Sequence, residues 1–127
     1  MQNSIANVIL HLCGNLRQWA VAGVEQLPDT RHRPSEFSDR RSYTKAELLT
    51  RLAEVVRDAD AAIARITEKT ILDPRRIQSF DTTVMSATFD TITHFVGHSH
   101  EIVYITRLLL RESYKFKFVP TSKEMGA

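Results

Sequence analysis

Leu48, Leu52, Val55, Ala59, Ile63 and Ile66 follow one another in steps of four, three, four, four and three. Side chains at that spacing share one helix face, so the segment carries a continuous apolar seam that a neighbouring helix must cover. The same period recurs on either side of it. Ile5, Val8, Ile9, Leu12, Leu16 and Trp19 predict a helix A over about 4–23, with Ser4 able to cap its start and Gly23 suited to its end. Val84, Thr88, Thr91, Phe95, His98, Ile102, Ile105 and Leu109 predict a helix C over about 82–111, capped by Asp81. Helix B, about 44–70, opens on the capping box Thr44-Lys45-Ala46-Glu47 and is stopped by Asp73-Pro74. Only 4 Gly and 4 Pro punctuate 127 residues, which suits a few long helices in one all-α domain, 1–127.

Between helices A and B lies a long crossover loop, 25–43, broken by Pro28 and Pro34. It holds a basic cluster of Arg31, His32, Arg33, Arg40 and Arg41 interleaved with Asp29, Glu36 and Asp39. Two readings stand side by side: a solvated connection, or a clamp for a phosphate or another anionic substrate. A loop of this length usually crosses a bundle or covers a site. Beyond helix C, Tyr114 to Phe118 alternate like a short strand within a C-terminal tail, 112–127.

The charge balance is slight, 17 basic against 15 acidic residues, and no aromatic stacking pattern or helix-turn-helix signal accompanies the arginines. Nucleic acid is therefore not an expected partner. Cys13 is the sole cysteine and lies in an apolar segment, which predicts a buried, inert thiol and fits a reducing cytoplasm. The most apolar stretch, Ile5 to Val24, is interrupted by Asn7, His11, Asn15, Arg17 and Gln18, so no membrane span is expected. Nor does the N-terminus show the basic start of a signal peptide.

Three of the five histidines fall within Thr93-His94-Phe95-Val96-Gly97-His98-Ser99-His100-Glu101-Ile102. On a helix, His94 and His98 stack one turn apart, as two ligands to one metal ion require. Asp90 and Glu101 extend the stripe, as further ligands, as carboxylates that orient a ring N–H, or as a base. His100 points away towards solvent, and Gly97 leaves room for a neighbouring helix or a substrate. Core histidines held by hydrogen bonds would show the same spacing. A third ligand must come from elsewhere, and His11 is the candidate, set among Asn7, Asn15 and Gln18 in a polar, uncharged stripe of helix A.

The segments Asn3-Ser4-Ile5-Ala6-Asn7-Val8-Ile9-Leu10-His11-Leu12-Cys13-Gly14-Asn15 and THFVGHSHEI closely resemble the DinB/YfiT-like family of metalloenzymes, over nearly the whole chain. The resemblance implies an up-down four-helix bundle holding zinc, nickel or iron on three histidines, matched here by His11, His94 and His98. It also implies the long connection 25–43, and thiol transfer with a low-molecular-weight thiol in some members. Two departures stand out: Glu101 replaces a glutamine usual in the family, and the chain begins where the family's second helix begins. The missing first helix implies either a truncated start or a homodimer whose second copy covers that side. Helix A, with Arg17 as its only charge, is where an exposed apolar patch is expected.

The function expected from these features is a divalent-metal-dependent enzyme, carrying out thiol transfer or metal-assisted hydrolysis on a small molecule. His11, His94 and His98 are the ligands, with Glu101 or Asp90 as orienter or base. The alternative is a non-enzymatic helical homo-oligomer in which the histidine stripe is structural.

Overall fold

The computed structural model describes residues 4–117, which fold as four helices and one small hairpin: α1 (Ile5–Leu16), α2 (Arg33–Ser38), α3 (Lys45–Ala64), β1 (Pro74–Ile77), β2 (Phe80–Thr83) and α4 (Val84–Leu110). Helix α1 runs on without interruption into a wider π-helical turn, Arg17–Gly23. The expected capping box at Thr44 forms, and Ser4 caps its helix in the same way. Ser4 Oγ accepts from the Asn7 N–H while Asn7 Oδ1 accepts from the Ser4 N–H, and Thr44 and Glu47 repeat the exchange at α3. Each box satisfies donors that the first helical turn leaves orphaned.

Helix α1 is central, packed by α2, α3 and α4 together. Val8, Ile9, Leu12 and Leu16 are buried along it, and Leu16 and Ala20 meet Val55 and Ala59 of α3 in the main core. Phe95 and the half-buried Cys13 pack against that cluster. Among the described residues helix A therefore shows no such apolar patch: α2, within the expected crossover loop, supplies the third covering surface.

Several boundaries differ from expectation. Helix α3 ends at Ala64, short of 70, because Thr70 Oγ1 accepts from the Thr67 N–H and turns the backbone out of the helix. The hairpin β1–β2 was not expected. Its strands pair antiparallel, with Ile77 opposite Phe80, around a turn in which Gln78 and Ser79 both take positive φ. That hairpin turn favours Asn-Gly, and Gln-Ser does not advertise it. Asp81 lies in β2 and pairs with Arg76, so the cap of α4 is Thr83, whose Oγ1 accepts from the Ser86 N–H.

Gly23 does not end its helix, which continues until Gln26 takes a positive φ. It instead leaves the space into which Ile77 packs, at 4% exposure, so the hairpin closes on the end of the π-helical turn. Arg75 adds a hydrogen bond from Nε to the Val24 carbonyl at 3.0 Å. Along α4, full burial stops at Thr91, and Leu109, expected on the core face, is 71% exposed. Tyr114 to Lys117 form no strand; Tyr114 and Phe116 instead stack edge-on beneath Arg107, and Phe118 lies outside the described residues. No helix among the described residues is long and apolar enough to cross a membrane.

Candidate metal centre

Helices α1 and α4 bring His11, His94 and His98 together. One ligand atom from each lies within 4.8 Å of the other two, and the three ring centroids are 4.5–5.0 Å apart. His11 is buried, while His94 and His98 are half-buried. The four-residue step on α4 and the packing of α1 against it produce this convergence.

Carboxylates fix which nitrogens face inward. Glu36 Oε2 lies 2.8 Å from His11 Nδ1, and Glu101 Oε2 lies 2.6 Å from His98 Nδ1. An ionised carboxylate only accepts, so each Nδ1 donates its proton to it and leaves a lone pair on Nε2. His11 Nε2 meets His94 Nε2 at 3.1 Å. Ring nitrogens that carry lone pairs, each backed by a carboxylate on the far side of the ring, form the donor set of a histidine metal site. The residues therefore fit a divalent ion. His94 alone lacks such backing: its Nδ1 is buried without a hydrogen-bond partner among the described residues.

Burial pushes the His94 imidazole down to about 4, with the neighbouring His98, His11, Arg31 and Arg33 acting in the same direction. His11 is also lowered, chiefly by burial, against the raising effect of Glu36. Both rings are consequently neutral near pH 7, the form that can ligate a cation.

The crossover loop completes the site. Arg31 grips Glu36 with a two-pronged contact, Nε to Oε1 at 2.7 Å and Nη2 to Oε2 at 2.9 Å, and its side chain is only 4% exposed. The same guanidinium donates from Nη1 to Gln18 Oε1 at 2.8 Å, while Gln18 Nε2 donates to Asp29 at 2.6 Å. Asn7 Nδ2 donates to the Glu36 carbonyl at 2.8 Å. The polar stripe of α1 is thus the surface on which the loop docks, and Arg31 and Glu36 are neither solvated nor free to clamp a ligand. Gly14 admits the Glu36 carboxylate, since a Cβ there would overlap it.

The other expected site residues divide. Glu101 is joined to His98, whereas Asp90 is exposed beside His11 and His94 with no side-chain hydrogen bond among the described residues. His100 is exposed, as its helix position implied, and Gly97 faces open space. Glu36 and Arg31 were not singled out from the sequence; the only signal was acidic residues interleaved with a basic cluster. Burial raises the Cys13 thiol to about 11, which removes it as a nucleophile.

Two cavities open at the histidines. The larger, about 840 Å³, is lined by His11, His94 and His98 together with Asn7, Phe37 and Tyr43, and by Arg33, Arg40 and Arg41. The second, about 420 Å³, is lined by Asn15 and Trp19 together with His11, His94, Asp90 and Arg33.

No curated protein and no solved structure matches the chain significantly. Residues 1–123 match a family described as a protein of unknown function, DUF1572, and the chain belongs to that family.

Proposed function

We propose that His11, His94 and His98 hold one divalent ion and that the chain is a metal-dependent enzyme of the DinB-like type. The observation that carries the reading is the convergence of three imidazoles, two of them backed by carboxylates at Nδ1. All-imidazole ligation suits zinc, nickel or ferrous iron. When bound, such an ion supplies Lewis acidity, which brings a water or a thiol close to deprotonation at neutral pH. That chemistry serves metal-assisted hydrolysis or thiol transfer, the latter with a low-molecular-weight thiol.

The chain's own residues have separable parts. Glu36 and Glu101 hold protons on the outer nitrogens of His11 and His98, so that both Nε2 lone pairs point inward. Arg31 fixes Glu36 through its two-pronged contact. Asp90, exposed at the smaller cavity and without a side-chain hydrogen bond among the described residues, is the proposed base for a substrate proton.

The rival function, a non-enzymatic homo-oligomer with a structural histidine stripe, draws on the direct His11–His94 contact, which one shared proton satisfies without an ion. Elemental analysis with metal-edge spectroscopy, on protein purified without a histidine tag, separates the two. The enzyme reading expects about one ion per chain within about 2.0–2.2 Å of imidazole nitrogens. Trace metal without such a shell would favour the structural stripe.

A further inference from the structure

The cations around the histidines are not equivalent. Arg31 is consumed by Glu36. Arg41 is consumed by Asp39, through Nη2 at 2.6 Å and Nε at 3.1 Å, and the Tyr43 hydroxyl donates to the same carboxylate at 2.5 Å. Among the described residues Asp39 is the one carboxylate lining the larger cavity, and Arg41 and Tyr43 already compensate its charge there. Arg33 differs. Among the described residues its side chain meets no carboxylate and makes no hydrogen bond; its guanidinium is held 5.1 Å from the centroid of the Phe37 ring.

Arg33 also lies where a ligand would be. It lines both cavities that open at His11 and His94, and it is among the charges that lower the His94 imidazole. The wall of the larger cavity supplies aromatic surface from Phe37 and Tyr43 and apolar surface from Leu10 and Ala6. Its volume of about 840 Å³ falls within the range of small-molecule sites.

We propose that the substrate of this cavity carries an anionic group, a carboxylate or a phosphate, bound by Arg33 with its apolar body on Phe37 and Tyr43. The inference rests on the reading of this cavity as the substrate site. A planar guanidinium held over an aromatic ring keeps its donors in a fixed fork, which matches the two oxygens of such an anion. Asp39, neutralised by Arg41 and Tyr43, does not repel it.

The test is calorimetric titration of the cobalt(II)-loaded full chain with benzoate, phenylphosphonate and neutral benzamide, for the wild type and Arg33→Ala. Cobalt content is measured on the same samples. At least one anion should bind more tightly than benzamide, and Arg33→Ala should weaken that anion by about tenfold or more, leaving benzamide unchanged. Which anion wins distinguishes carboxylate from phosphate. Equal anion affinity in wild type and variant, or no preference over benzamide, would overturn the proposal. If the chain takes up no cobalt but still binds an anion through Arg33, this inference stands and the metal reading fails.

Discussion

Glu36 connects the crossover loop to the histidines more directly than any other residue. Its carboxylate accepts a hydrogen bond from His11 Nδ1–H on one side and from the Arg31 guanidinium on the other, at 8% exposure. Glu36→Gln keeps the shape but removes the charge that Arg31 faces, and metal affinity should fall about 10- to 100-fold in a competitive chelator titration. Glu36→Ala leaves a buried arginine without its partner, which costs about 3–5 kcal/mol in denaturant unfolding. The two effects separate orientation of the imidazole from support of the fold. At the same scale, His94 is held neutral. The contribution of neutral His94 to the stability of the metal-free chain should therefore be fully present above pH 6.5 and be lost as pH falls towards about 4, where the folded imidazole accepts its proton. Unfolding midpoints measured across that window check the sign; stability that rises on acidification would contradict it.

At the scale of elements, the three long helices were legible because their apolar periods are long and their caps conventional. Ser4 and Thr44 cap as their sequences imply, and the four-residue step of His94 and His98 fixes their shared face. What failed was local competition. Thr70 ends α3 early by offering its hydroxyl to the backbone, and the hairpin is hidden behind a Gln-Ser turn. Helix α2 is too short to show a period, yet it carries Glu36 into the site. The three clustered histidines could be picked out from sequence, whereas Arg31 and Glu36 could not, since their burial depends on where the loop docks. The hairpin's hold on the helix end gives a direct prediction. Gly23→Ala places a methyl group where Ile77 packs, and should destabilise the chain by about 1–3 kcal/mol in chemical denaturation. Ile77→Ala in the same chain should recover part of the loss relative to the sum of the two single variants.

Over the whole molecule, α4 presents two apolar faces. One packs on α1; the other runs through Met85, Phe89, Ile92, Val96, Val103 and Leu110, with Phe89 63% and Ile92 49% exposed. These positions recur at helical spacing along nearly the full 27 residues, and Ser99 and Thr106 fill the gaps without a charge. Such a seam is long for a free surface. A second copy is the proposed occupant: an antiparallel α4 matches the seam in length and character end to end, and a two-fold pairing closes without leaving it exposed elsewhere. Ile92→Glu with Val96→Glu should convert a dimer into monomer in sedimentation velocity without altering metal content, because both residues face away from His94 and His98. A wild-type chain that sediments as a monomer at every concentration would exclude this pairing.

The central claim is that three particular imidazoles hold one ion. Competitive zinc titration of the untagged chain, beside His98→Ala and His100→Ala, tests it most directly. Wild type and His100→Ala should each bind about one zinc with the same affinity, while His98→Ala should lose tight binding, because two remaining imidazoles rarely retain a labile divalent ion. Equal affinity in all three proteins, or an equal loss from both substitutions, would contradict the three-histidine centre.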